Sequence, residues 1–110
     1  MASEAFKILG QATSATSATA LYTVPSGKST VISTVAVCNQ SGGSLTYKIS
    51  TRPSGEALAA KHYIAYDSTV SANDTTFITV GITLQAGAIL EVSSSSGSMS
   101  FTAYGSEITP

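Results

Sequence analysis

The chain has 110 residues, a formal net charge of −1 and only 10% charged residues, against about 25% in ordinary soluble proteins. Serine and threonine together make up 34 of the residues, and 43% of the chain is hydrophobic. This length fits one domain, and low charge combined with high apolar content excludes an intrinsically disordered chain. The few basic residues are scattered, so we expect no nucleic-acid partner.

The sequence also argues against membrane insertion and disulfide bonding. No apolar run approaches the roughly 18 residues that a membrane-spanning helix needs. The N-terminus lacks the basic and apolar regions of a signal peptide, which predicts synthesis in a cytoplasm. Cys38 is the single cysteine, so no intrachain disulfide can form, and its apolar surroundings predict a buried side chain.

The predicted domain boundary separates residues 1–19, an N-terminal arm and flexible link, from a β-sandwich domain over residues 20–110. A short apolar set in the first segment comprises Phe6, Ile8 and Leu9, and it fits either a first strand or an extended arm. The alanine, serine and threonine residues that follow are typical of a flexible link.

From residue 20 onward, runs rich in β-branched residues alternate with turn signals. Valine, isoleucine and threonine favour strands, while clusters such as Pro-Ser-Gly and Gln-Ala-Gly favour turns. Gly81 lies inside one apolar alternation and predicts a bulge or a bend. A single helical turn is predicted over residues 56–60. The predicted strands cover residues 20–24, 29–39, 44–52, 61–67, 78–84, 88–93 and 98–104.

The strand at residues 44–52 shows the clearest alternation. Its apolar positions are Leu45, Tyr47 and Ile49, which predicts a half-buried antiparallel strand. We expect it to form a hairpin with residues 29–39, because only a short glycine-rich turn separates the two. The whole pattern predicts an all-β fold: a single antiparallel, jelly-roll-like β-sandwich of about seven or eight strands with an extended N-terminal arm.

One short motif suggests nucleotide binding. Gly27-Lys28-Ser29 matches the end of a phosphate-binding loop, but Tyr22 stands where the first glycine belongs, and a strand former follows instead of a helix. A turn between two strands explains the same residues, so we predict no nucleotide site.

Candidates for catalysis and metal binding are few. His62 is the single histidine, and a dyad with Cys38 would lack an orienting third group. Asp67 and Asp74 flank a predicted turn, where turn chemistry is the preferred explanation and a paired-carboxylate or calcium site is the alternative. We predict that the protein is not an enzyme, has no catalytic residues and uses no cofactor; calcium binding is left open.

The hydroxyl-rich surface is suited to protein contacts, because charged residues are depleted in the cores of interfaces. The five tyrosines fit either packing at an interface or a sugar-binding face, since each ring carries a polar tip. The absence of tryptophan makes interface or core packing the preferred reading. The predicted assembly contacts are Phe6, Ile8, Leu9, Tyr22, Tyr63 and Tyr66.

Five segments share a pattern of turns and core positions: LYTVPSGK at 21–28, VCN at 37–39, KHYIAYD at 61–67, the stretch 73–84, and SFTAYGSEI at 100–108. This pattern resembles small virion proteins of tailed phages, above all those of cyanophage type, over residues 20–108. In many such sequences an aspartate follows the glycine of the last turn, where this chain has Ala88.

The resemblance implies a β-sandwich subunit of a bacteriophage particle. Such proteins decorate and cement capsid shells, often as trimers, and others act as neck or tail adaptors. We therefore expect a capsid decoration or cement protein that binds the shell surface as an oligomer, with a homotrimer favoured. Its expected partners are the major capsid protein or other virion proteins, without nucleic acid or membrane. It would be made in the bacterial cytoplasm and located in the virion. The alternative is a neck or tail adaptor, or a fibre-associated protein that binds a glycan receptor.

Overall fold

The computed structural model describes residues 3–13 and 16–110. Within these ranges no helix is long and apolar enough to cross a membrane. The described chain forms a three-residue 3-10 helix at Ala60–His62 and eight strands: β1 Ser3–Thr13, β2 Thr19–Thr23, β3 Ser29–Asn39, β4 Leu45–Arg52, β5 Tyr63–Val70, β6 Thr75–Leu84, β7 Ile89–Ser94 and β8 Met99–Thr109.

The strands form two four-stranded sheets, and every strand pair is antiparallel. The first sheet has the order β1-β8-β3-β6, and the second has the order β2-β7-β4-β5. Two sheets whose strands interleave in this way are the arrangement of an eight-stranded jelly roll. The predicted fold class, an all-β antiparallel sandwich, is therefore confirmed.

The core lies between the two sheets and contains the alternating apolar positions. The first sheet contributes Ile32, Val35 and Phe101, and the second contributes Ile49 and Leu90, all at most 1% exposed. Burying side chains of this size stabilises the fold by about 1.5–3 kcal/mol each. The β-branched composition of β3 suits this position, because branched side chains pack well on a pleated surface.

The N-terminal segment is an edge strand. Ser3–Thr13 forms β1 and pairs with β8 from Ser3↔Thr109 to Thr13↔Ser100. The alternatives for this segment, a first strand or an extended arm, are thus decided in favour of the strand for the described residues. The other positions of the 1–19 segment include 1, 2, 14 and 15, which lie outside the described residues. The domain boundary after residue 19 stays a prediction.

The predicted hairpin between β3 and β4 is wrong, because these strands belong to different sheets. The connection between them crosses the end of the sandwich, and the buried side chain of Asn39 holds it there. Its Nδ2 donates to the carbonyl oxygens of Gly43 at 2.8 Å and of Val70 at 3.0 Å. Its Oδ1 accepts from the backbone N–H of Ser41 at 2.9 Å. The glycine-rich turn therefore predicts correctly that the chain reverses, but it does not predict which sheet the next strand joins.

Smaller predictions had mixed outcomes. The bulge at Gly81 is confirmed, because this residue has a φ of +58° and the register of β6 shifts beside it. The helical turn lies at Ala60–His62, later than the predicted residues 56–60. Cys38 was expected to be buried but is partly exposed, because it lies on the outer face of the first sheet.

Candidate assembly surface

The outer face of the first sheet is built from side chains that share cross-strand rows. Residues directly opposite each other on paired strands point to the same side of a sheet. Four consecutive rows cross all four strands in the order β1, β8, β3, β6. They are Phe6-Ser106-Val31-Thr83, Ile8-Tyr104-Thr34-Thr79, Gln11-Thr102-Ala36-Phe77 and Thr13-Ser100-Cys38-Thr75.

No charged residue occurs in these four rows, which we call the uncharged face. It carries four large exposed apolar side chains: Phe6 is 80% exposed, Phe77 65%, Ile8 59% and Tyr104 37%. A groove of about 560 Å³ runs over its β1 side, lined in part by Phe6, Ile8, Val31 and Tyr104. Exposed apolar patches of this kind mark sites where proteins meet other proteins.

The uncharged face is modest in area. Ordinary strand dimensions give it about 25 Å along the strands and about 20 Å across them, or roughly 500 Å². A standard interface buries about 800 Å² on each partner. One contact through this face is therefore weak, and a stable assembly would need several such contacts at once.

A hydrogen-bonded cluster beside β1 joins the two sheets. The Tyr22 hydroxyl of β2 donates to Glu107 Oε2 at 2.6 Å and lies 2.8 Å from Thr30 Oγ1. Lys7 Nζ lies 2.7 Å from Glu107 Oε1, and Lys28 Nζ lies 3.7 Å from the same oxygen. The contacts from Lys7 and Tyr22 hold the pKa of Glu107 below its ordinary value. Burial, together with the hydrogen bond to Glu107, raises the pKa of Tyr22 to about 12.

The residues predicted as assembly contacts fall into four places. Phe6 and Ile8 lie on the uncharged face, whereas Leu9 is half-buried against the core at a bulge of β1. Tyr22 is held within the chain by its hydrogen bonds. The remaining pair, Tyr63 and Tyr66, belongs to the second sheet. Their roles in assembly stay predictions.

The predicted assembly contacts omit two members of the uncharged face, Phe77 and Tyr104, although Tyr104 is one of the five tyrosines considered for an interface. Each lies out of phase with an apolar alternation that marks the core, Ile78 onward in β6 and Met99 onward in β8. The sequence did contain a signal for these residues, because an aromatic residue on the polar side of a half-buried strand indicates an exposed apolar surface.

The structure assigns the nucleotide-binding motif to a turn. The backbone N–H of Lys28 donates to the carbonyl of Pro25 at 3.2 Å, and Gly27 has a φ of +76°. Strand β3 begins directly afterwards at Ser29, so the helix that a phosphate-binding loop requires is absent at this point. The prediction of a turn between strands is confirmed.

His62 is held by its own loop. Its Nδ1 accepts the backbone N–H of Ala59 at 2.9 Å, and its Nε2 lies 3.1 Å from Glu56 Oε1. The salt bridge with Lys61 and the hydrogen bond with His62 lower the pKa of Glu56. Cys38 lies on β3 of the first sheet and faces outward, whereas His62 lies in the loop before β5. The structure therefore does not bring the two side chains of the considered dyad together.

The two aspartates considered for a carboxylate or calcium site have other contacts. Asp67 Oδ1 lies 2.6 Å from Lys48 Nζ, and Asp74 Oδ1 accepts the backbone N–H of Thr75 at 2.8 Å. Across residues 3–13 and 16–110, no group of three or more His, Cys, Asp or Glu residues is placed to hold a metal ion.

Comparison with known proteins finds similarity in fold. No protein-family model matches the chain, and no curated protein matches it. A chain in the structure of infectious bursal disease virus Gx strain is similar with a TM-score of 0.55 and 16% identity over 98% of this chain. A chain of the T13 viral particle of the same virus is similar with a TM-score of 0.52 and 13% identity, also over 98%. This chain spans 31% and 30% of their lengths, and at these identities the likeness concerns the fold alone.

Proposed function

We propose that the protein is a structural subunit of a virus particle and does its work through packing against other subunits. The observation that carries the proposal is the uncharged face, a sheet surface with four exposed apolar side chains and no charge across its four rows. The fold similarity supports it, because both similar chains come from structures of a virus. The resemblance of residues 20–108 to small virion proteins points in the same direction.

Within this class, we propose a capsid decoration or cement protein of a tailed phage that binds the shell as an oligomer, with a trimer favoured. The small area of the uncharged face supports repeated weak contacts on a symmetric lattice over one strong contact. A bacterial cytoplasm is the proposed site of synthesis, and the major capsid protein is the proposed partner. The role is non-enzymatic in this proposal, and the hydrogen bonds that occupy both ring nitrogens of His62 support that view.

Binding to capsid shells tests the proposal through the variant Phe77→Glu. Phe77 is 65% exposed on the edge strand β6, so a glutamate is compatible with the fold but places a charge in the contact. Losing the burial of a phenylalanine removes about 1.5–3 kcal/mol from a contact, which corresponds to a loss of binding of about tenfold or more. The measurement is cosedimentation with shells of the encoding virus that were assembled without this protein.

The matched control is Ala57→Glu, which adds the same charge at an exposed loop position away from the uncharged face. We expect this variant to cosediment as the wild type does. Wild-type protein that does not bind the shells would contradict the decoration role, and equal binding by the Phe77 variant would contradict the assigned surface. A map of the intact particle would then locate the subunit and give its oligomeric order.

A further inference from the structure

The outer face of the second sheet carries a compact aromatic and charged cluster on β4 and β5. The rings of Tyr63 and Tyr66 meet edge to face, with centroids 4.9 Å apart and an interplanar angle of 85°. Lys48 Nζ lies 4.7 Å from the centroid of Tyr66 and 2.6 Å from Asp67 Oδ1. Tyr66 is nevertheless 62% exposed, so its two neighbours leave much of the ring open to solvent.

A bulge in β5 produces this arrangement. The register with β4 shifts between the pairs Tyr47↔Ser68 and Ile49↔Ala65, so one extra residue is inserted in β5. Asp67 lies within the shift and has a φ of +52°, a left-handed conformation that is uncommon for residues other than glycine. Backbone strain of this kind is concentrated at functional sites. The hydrogen bond with Asp67 raises the pKa of Lys48, which keeps its side chain protonated.

Two clefts adjoin the cluster. One, of about 570 Å³, is lined by Tyr63, Tyr66 and the loop residues 58–60. The other, of about 230 Å³, lies against Lys48 and Asp67 and is lined mainly by hydroxyl side chains, namely Thr16, Thr46, Ser93, Ser94 and Ser95 together with Tyr47. The ion pair is therefore flanked by an aromatic cleft on one side and a hydroxyl-rich cleft on the other.

We propose that this cluster is a binding site for a neutral saccharide, with the exposed Tyr66 ring as the stacking platform and the pair of Lys48 and Asp67 as its polar anchor. The apolar face of a pyranose packs on an aromatic ring, because its C–H groups meet the negative face of the π-system. An amine that donates and a carboxylate that accepts match neighbouring sugar hydroxyls, which do both.

The charge of the cluster selects against other ligands. One cation and one anion are in contact, so the site has no net charge to attract a phosphate or a nucleic acid, both of which need an excess of basic groups. The proposal goes beyond the assembly role and does not depend on it, since it uses the second sheet while the uncharged face belongs to the first.

The experiment is a titration of the isotope-labelled full chain with neutral gluco-, galacto- and manno-oligosaccharides, with a sialylated oligosaccharide as the anionic probe. We expect the amide signals of Lys48, Tyr66 and Asp67 to shift with at least one neutral probe. Tyr66→Ala should weaken the binding about tenfold, since the stacking surface is lost. Tyr66→Phe keeps the ring and should bind as the wild type does.

Asp67→Asn tests the polar anchor, because asparagine also tolerates the left-handed conformation and the fold is therefore retained. It should weaken binding through the lost charge, whereas Phe77→Ala on the other sheet should leave binding unchanged. Three outcomes would overturn the proposal: no shift with any neutral probe at millimolar concentration, equal binding by Tyr66→Ala, or shifts with the sialylated probe alone. None of these outcomes bears on cosedimentation with shells, so this site and the virion role fail separately.

Discussion

At the scale of single residues, Tyr22 shows that a side chain suited to an interface can instead hold the two sheets of its own chain together. It was predicted as an assembly contact because an amphipathic ring suits an interface. The structure instead uses its hydroxyl to join β2 to Glu107 and Thr30 of the first sheet. Nothing local in the sequence could predict this, since Glu107 lies 85 residues away from Tyr22 along the chain.

The substitution Tyr22→Phe should destabilise the fold by about 1–2 kcal/mol, because it removes the hydroxyl and leaves the buried carboxylate of Glu107 with one donor fewer. The measurement is the free energy of unfolding in urea. The control is Tyr104→Phe, which removes a hydroxyl from an exposed ring and should change the free energy by at most about 0.5 kcal/mol. Equal stability of Tyr22→Phe and the wild type would mean that the bond to Glu107 contributes nothing to folding.

At the scale of elements, the positions of most strands follow from the sequence. The β-branched run at residues 29–39 and the alternation at Leu45, Tyr47 and Ile49 both became strands close to their predicted bounds. The pairing of the strands does not follow from the sequence. The residues of a turn predict that the chain reverses, but they do not predict which sheet the next strand joins. That choice is made by tertiary contacts such as those of Asn39.

The backbone of β3 bulges toward Gly105 of β8 and leaves no room for a side chain at that position. A Cβ at position 105 would lie 2.0 Å from the carbonyl oxygen of Val31 and 2.9 Å from the backbone nitrogen of Ser33. We expect Gly105→Ala to destabilise the fold by at least about 2 kcal/mol, because the backbones of two central strands must move apart. Thermal and urea unfolding would measure the effect.

The matched control is Gly43→Ala, since a Cβ at that position meets nothing within 4 Å. It should leave the free energy of unfolding within about 0.5 kcal/mol of the wild type. A Gly105 variant as stable as this control would show that the bulge relaxes freely.

At the scale of the whole molecule, the composition predicts a surface suited to protein contacts, but it does not predict which part of the surface makes them. Low charge was visible in the sequence, whereas the alignment of Phe6, Phe77 and Tyr104 on one face depends on the register of four strands. The Tyr66 cluster likewise depends on a bulge that the sequence did not indicate.

Association through the uncharged face should be nearly independent of sodium chloride concentration. Exposed charge pairs are strongly screened at about 1 M salt, where the Debye length is about 3 Å, whereas apolar contacts are not. Cosedimentation of the wild type with capsid shells at low and high salt would measure the association. Dissociation on addition of salt would contradict a contact made by this face, and Phe77→Glu provides the variant that should remain dissociated in both conditions.

The position of β8 has a consequence for biosynthesis. Of the eight strands, β8 is synthesised last, yet it lies between β1 and β3 in the middle of the first sheet. The edges of β1 and β3 that pair with β8 therefore stay unpaired until β8 has been synthesised. Because most pairings join distant parts of the chain, the domain closes late and as a unit, and a nascent chain would benefit from protection of β1 and β3 until β8 arrives.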